Sequence, residues 1–160
     1  MMRSIRHMIC ALALLASSPA GQSTGSNKMN ATAADEAKVM EVINGFNAAF
    51  AANDPEKYFS YIDEGITVIT PSNPYRVDGI ADDREEFEHS LRRGVSRVGF
   101  FQELQPNVQL FGDAAVVTYY SRGSYGPEGQ QKVAYYKETD VLARRGDRWK
   151  IVHIHVSATQ

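Results

Sequence analysis

Glu138 and Asp140 stand two residues apart in the run Tyr136-Lys137-Glu138-Thr139-Asp140-Val141-Leu142, and on a strand that spacing puts both carboxyls on one face with Tyr136 and Leu142. Inside an apolar hollow, desolvation and like charge would raise one carboxyl pKa into the range of a general base. The competing reading is an outer face bearing solvated charge, with cross-strand partners such as Arg122. That second reading is preferred for Glu138. Tyr119-Tyr120 and Tyr135-Tyr136 form two adjacent pairs, so each pair must place one ring on each side of a sheet. One set can line a pocket, with hydroxyls able to donate to a carbonyl or oxyanion, while the other packs in a dimer interface.

The segment Trp149–Ser157 carries Trp149, His153 and His155 on one parity and Val152, Ile154 and Val156 on the other. Two imidazoles at i and i+2 can reach one metal, but two ligands do not close a tetrahedral site. Packing and hydrogen bonding across a sheet or dimer face is the preferred account, and no metal is assigned. The chain has no glycine-rich phosphate loop, serine nucleophile elbow or usable thiol, so no cofactor is expected.

These residues need elements to hold them. Val39, Ile43, Phe46 and Phe50 recur at helical spacing and predict a long first helix. Asn53-Asp54-Pro55 ends it and starts a short second helix carrying Tyr58, Phe59 and Ile62. Gly65–Thr70 is a β-branched run closed by Pro71, which predicts a strand. Residues 71–81 read as loop, where Tyr75 and Arg76 are candidates for a rim. Asp82 with Glu85 resembles a capping box, opening a third helix with Phe87 and Leu91 inward and Gly94 as its terminator.

The last third predicts a meander. Strands are expected at Val98–Phe111, with a bulge or edge at Pro106, then Ala114–Tyr125, Val133–Ala143 and Trp149–Ser157. Glycine-bearing turns separate them. Helices first and a long antiparallel sheet last is the α+β order.

The N-terminal residues 1–20 read as a signal peptide. Arg3, Arg6 and His7 precede an apolar stretch from Met8 to Ala16, and Ser18-Pro19-Ala20 offers small residues at the cleavage positions. The stretch is shorter than the ~20 residues a spanning helix needs. Residues 21–31 are small and polar and read as a flexible linker, leaving 32–160 as a single domain. The expected location is exported, periplasmic or extracellular. Arg3 and Arg6 would leave with the signal, so 15 basic residues would face 19 acidic ones. A mildly acidic domain without a basic stripe argues against nucleic-acid or membrane partners. Arg144, Arg145 and Arg148 cluster in a predicted hairpin turn and read as solvated. Cys10 is the only cysteine and precedes the expected cleavage site, which rules out a disulfide framework in the mature chain.

The order of elements resembles the nuclear transport factor 2-like superfamily. The residues carrying the likeness are Gly65-Ile66-Thr67 through Pro71, Asn107-Val108-Gln109-Leu110 with Gly112-Asp113, Glu138-Thr139-x-Val141, and Trp149-Lys150 through Val152-His153-x-His155-x-Ser157. Within that superfamily the chain is most similar to the association (hub) domain of calcium/calmodulin-dependent protein kinase II and its SnoaL-like relatives, over roughly residues 35 to 158. The resemblance implies a cone-like curved antiparallel sheet wrapped around an N-terminal helix. It also implies a homodimer or higher homo-oligomer and a pocket for a small organic ligand. It points the position of Asp140 inward, and the candidate pocket set is Tyr119, Tyr136, Asp140 and Val156. The hub pattern reads E-T-R-V-W and V-H-F-H-R-S, with arginines lining an anion-attracting pocket; this chain has Asp140 and Val156 there, and Ser121 at a third such position. Reversed charge at Asp140 argues against a carboxylate ligand. Relatives that are isomerases or lyases imply a further role, with Asp140 as the candidate catalytic base.

Overall fold

The computed structural model describes residues 24–95 and 97–159. Helix α1 (Thr24–Ala51) buries Val39, Ile43, Phe46 and Ala49, the stripe that helical spacing requires. Its start at Thr24 falls within the segment read from sequence as a linker at 21–31, of which residues 21–23 lie outside the described residues. From Thr24 the backbone is already helical, because extending an existing helix costs far less than nucleating one and no proline interrupts the segment. Residues 1–23, and with them the expected signal peptide, lie outside the described residues.

Helix α2 (Pro55–Ser60) begins as its residue types require. The Asp54 side chain accepts a hydrogen bond from the Lys57 amide at 3.1 Å, and Pro55 occupies the first helical position. Strand β1 (Ile62–Ile69) leads to the two-residue β2 (Val77–Asp78) and then α3 (Ile80–Arg92). The capping box expected at Asp82 does not form. The N-cap lies three residues earlier, at a Gly79 turn with φ 90°, which glycine alone adopts without strain, and no side chain caps the helix. Gly94, at φ 64°, lies just beyond the other end as expected.

The meander follows as β3 (Arg97–Phe111), β4 (Ala114–Gly126), β5 (Lys132–Arg145) and β6 (Arg148–Ala158). The six strands form one curved sheet in the order β2-β1-β6-β5-β4-β3. β3 to β6 pair antiparallel, while β1 joins β6 in parallel, a pairing that the meander pattern alone does not give. The register of β3 shifts between Leu104 and Asn107, where Pro106 withholds a donor and Gln105 adopts φ 55°.

A second irregularity corrects the expected faces of β6. Val141 pairs with His153 and Leu142 with Ile151, so Val152 is an extra residue. Side chains alternate strictly only in an unbroken strand, and one inserted residue reverses the parity. Trp149 and Ile151 therefore face inward before the bulge, and Ile154 and Val156 after it. His153 and His155 face the other way.

The inner face of the sheet packs on α1 through Ile66, Val117, Leu142 and Ile151, all at 0% exposure, opposite Val39 and Ile43. Burying each such aliphatic side chain contributes roughly 1.5–3 kcal/mol. The turn arginines are not all solvated. Arg144 lies over the Trp149 ring at 4.5 Å and pairs with Asp35 of α1 at 2.6 Å and Asp113 at 3.1 Å. Arg145 pairs with Asp63 at 2.7 Å, and Arg148 is exposed.

Candidate functional site

Between α1, α2, α3 and the inner face of the sheet lies a cavity of about 350 Å³. The volume suits a small organic molecule. Its walls are aromatic. Phe46 and Phe50 come from α1, Tyr58 from α2, Phe87 from α3, Phe101 from β3, Tyr125 from β4 and Tyr136 from β5. Tyr58 and Phe87 stack at 4.7 Å, and Phe50 meets Phe101 edge-on at 5.5 Å. Room for Tyr125 comes from Gly123, two residues before it on the same face of β4. The Tyr125 hydroxyl lies where a β-carbon at position 123 would stand. The Thr70-Pro71-Ser72 turn forms part of the rim.

Three carboxyl side chains reach this cavity: Asp83 and Glu86 from α3 and Glu138 from β5. Asp83 is 9% exposed and its Oδ2 has no partner. Burial, reinforced by the Glu86 charge, pushes its pKa up to about 6. Burial also raises Glu138, with the neighbouring Ser121 and Tyr119 hydroxyls pulling the other way. Glu138 thus faces inward, and the solvated outer face preferred for it from sequence is corrected: it must follow Asp140 and Leu142, both at 0% exposure, to the same side.

A second polar layer runs from Asn47, which lines the cavity, to groups behind the wall. The Tyr119 hydroxyl donates to Asp140 Oδ2 at 2.9 Å and lies 3.4 Å from Asn47 Oδ1, while Asn47 Nδ2 donates to Glu103 Oε2 at 2.6 Å. Asp140 Oδ1 has no partner. Burial holds the Asp140 pKa well above the usual carboxylate range, and the Glu138 charge adds to the effect. Burial thus favours its protonated form. Burial likewise raises the phenols of Tyr58, Tyr119, Tyr125 and Tyr136, which keeps them protonated donors.

The four candidates from sequence are divided by this geometry. Tyr136 and Val156 line the cavity, whereas Tyr119 and Asp140 sit behind its surface, hydrogen-bonded to each other. Asp83 was missed. It stands four residues before Phe87 and seven before Ser90, so the three share one helix face, and that spacing was the available signal. Tyr75 is 79% exposed and Arg76 pairs with Asp78 at 2.7 Å, and neither lines the cavity.

The outer face of the sheet is a separate surface. Phe100, Tyr120 and Tyr135, on β3, β4 and β5, are 38%, 48% and 49% exposed, and Arg122 lies over the Phe100 and Tyr135 rings. His153 also lies on this face, its Nδ1 2.7 Å from Thr67 Oγ1. The His153 and His155 rings are 6.4 Å apart, and among the described residues no group of three or more His, Cys, Asp or Glu side chains is placed to hold a metal ion. No helix among the described residues is long and apolar enough to cross a membrane.

This order of elements and this hollow meet a known family. The family model for the calcium/calmodulin dependent protein kinase II association domain matches residues 35–160. The chain belongs to that family. It is 29% identical over 150 residues to the calcium/calmodulin-dependent protein kinase type II subunit delta of Oryctolagus cuniculus, covering 88% of this chain and 28% of that protein. The chain therefore spans little more than a quarter of that relative's length. Among solved structures, the calcium/calmodulin-dependent protein kinase II hub of S. rosetta superposes with a TM-score of 0.65 at 26% identity, covering 76% of this chain and 95% of the hub. A nuclear transport factor 2-like protein of unknown function from Pseudomonas putida reaches 0.70 at 20% identity, covering 79% and 88%. At that identity the likeness speaks for the fold alone. At the three positions where the hub pattern carries arginine, this association domain has Ser121 and Asp140, both at 0% exposure, and Val156 on the cavity wall.

Proposed function

We propose that this association domain is an exported, homo-oligomeric module whose cavity takes a small organic ligand. The observation that carries the assembly reading is the run of half-exposed aromatic side chains, Phe100, Tyr120 and Tyr135, across three adjacent strands. A contiguous apolar patch of this kind is costly on a monomer and is removed from water by pairing with a second copy. The family's name and the hub relative support the same conclusion. Size-exclusion chromatography with light scattering tests it: a mass of at least two chains is expected, and a monomer at micromolar concentration would end the proposal.

The ligand half rests on the cavity's volume and aromatic lining. Melting-temperature shifts across a panel of small hydrophobic metabolites test it. Export rests on the charged and apolar pattern of residues 1–20. The intact mass of protein recovered from the periplasm or medium is expected to begin at Gly21.

A second reading, a proton-shuttling isomerase or lyase, is favoured by one specific observation. Asp83 is a buried carboxyl on the wall of the aromatic-lined cavity with its Oδ2 unpartnered, and burial pushes its pKa up to about 6, in the range that suits a general base near neutral pH. In that reading Asp83, with Glu138, takes the base role in place of Asp140, because Asp140 does not line the cavity and its partner Tyr119 already donates to it.

A further inference from the structure

The proposed ligand cavity carries a charge pattern that narrows what can occupy it. Asp83, Glu86 and Glu138 line it, and among the described residues no lysine or arginine does. Asp83 belongs to the buried residues, at 9% exposure, and its Oδ2 meets no donor from the protein. Glu86 is bonded by Asn73 Nδ2 at 3.0 Å, so its charge is oriented but not neutralised. Aromatic faces enclose the rest of the space. Resting on the reading of this cavity as a ligand site, we propose that it takes a protonated organic amine with an aromatic or apolar body.

Three physical arguments lead to this class. A carboxylate ligand would meet like charge in a poorly screened space, and among the described residues no lysine or arginine lines the cavity to offset it. A neutral apolar ligand would take water from the carboxyls that line the cavity, Asp83, Glu86 and Glu138, and give them no donor in return. An ammonium group supplies that donor with opposite charge, and the negative faces of the surrounding rings attract the cation a second time. A bare metal ion fits poorly, since no three metal-ligating side chains among the described residues converge. Burial lifts Asp83 only to about 6, so it is ionised and able to pair with an ammonium at pH 7.5.

The test uses the full chain at pH 7.5 and three probes sharing one ring: 2-phenylethylamine, 2-phenylethanol and phenylacetate. Calorimetric titration is expected to show the amine binding at least about tenfold more tightly than the alcohol, since a charge-assisted bond is at stake, and phenylacetate giving no heat. Asp83→Asn is expected to weaken the amine about tenfold and leave the alcohol unchanged. Glu138→Gln supplies the same comparison should the first variant fail to fold. Alcohol or phenylacetate binding as tightly as the amine, or amine binding indifferent to both substitutions, overturns the amine assignment and leaves the cavity as a site for another ligand class. Absence of binding by all three at millimolar concentration removes the amine assignment and the small-molecule site together.

Discussion

Asp140→Asn is expected to raise the melting temperature at pH 8 while changing it little at pH 4. The Asp140 carboxyl is at 0% exposure, accepts one hydrogen bond from Tyr119 and leaves Oδ1 unpartnered. Its pKa in the folded chain lies well above the usual carboxylate range because burial penalises the charged form. The folded state therefore keeps a proton that the unfolded state gives up once the pH passes the unfolded value. Stability falls as pH rises from there until the folded pKa is reached, and is flat beyond it. Asparagine has nearly the shape of the protonated acid, can still accept from Tyr119, and does not ionise. The gap between the variant and the parent should thus open above about pH 4 and widen with pH. A gain of about 1–3 kcal/mol at the plateau is the order expected for relieving one badly solvated buried polar group, at roughly 4 °C per kcal/mol for a domain of this size. Thermal melts from pH 4 to pH 8 check it. A variant less stable than the parent at pH 8 would show that the carboxyl is ionised and paired in a way this geometry does not contain.

The second large effect concerns assembly. Substituting Tyr120→Glu and Tyr135→Glu together is expected to convert the proposed homo-oligomer into a folded monomer. Both rings are about half exposed on the outer face, so the isolated fold loses little packing when they are removed. The neighbours also tolerate the change, since Tyr120 pairs across the strands with Lys137 and Tyr135 with Arg122. In an interface formed by this face, however, two carboxylates from each copy would be buried, and desolvation costs several kcal/mol per charge. Light scattering gives the mass and far-ultraviolet circular dichroism the fold. A double variant that keeps the parent's mass would locate the interface elsewhere.

Both expectations depend on which way the residues of β4 and β5 point, and here sequence and structure divide in an instructive way. The tyrosine pairs could be split between two faces from spacing alone, because adjacent residues on any strand diverge. Direction was another matter. Once Leu142 is buried on the core side, Asp140, Glu138 and Tyr136 must follow it, so the solvated position preferred for Glu138 was inconsistent with its own parity. Parity in turn fails without warning at Val152, since a bulge is a property of two paired strands and one strand does not encode its partner's register. That is why Trp149 faces the core while His153 and His155 do not.

The helices followed the same division. Apolar spacing located α1 and α2, and Asp54-Pro55 marked the start of α2 to the residue, because capping is a local matter of one side chain and a few amides. The box expected at Asp82 lost to the Gly79 turn, where the strand before it delivers the chain at an angle that only glycine fits. Asp83 escaped attention because an acid in a first helical turn is ordinarily a solvated partner of the helix dipole. Only the closure of the sheet over α3 turns it into a buried group.

The sequence by itself determined the α+β order, the positions of turns and strands, the two-sided split of the tyrosines and the likeness to the association domain. All of these follow from local periodicity, from glycine and proline stereochemistry and from side-chain type. Only the tertiary structure decided that Asp83 and Glu138 reach the cavity while Asp140 and Tyr119 lie behind it. Burial and pKa depend on what distant segments bring to a point in space, and one residue of register shift is enough to exchange the inside of a strand for its outside.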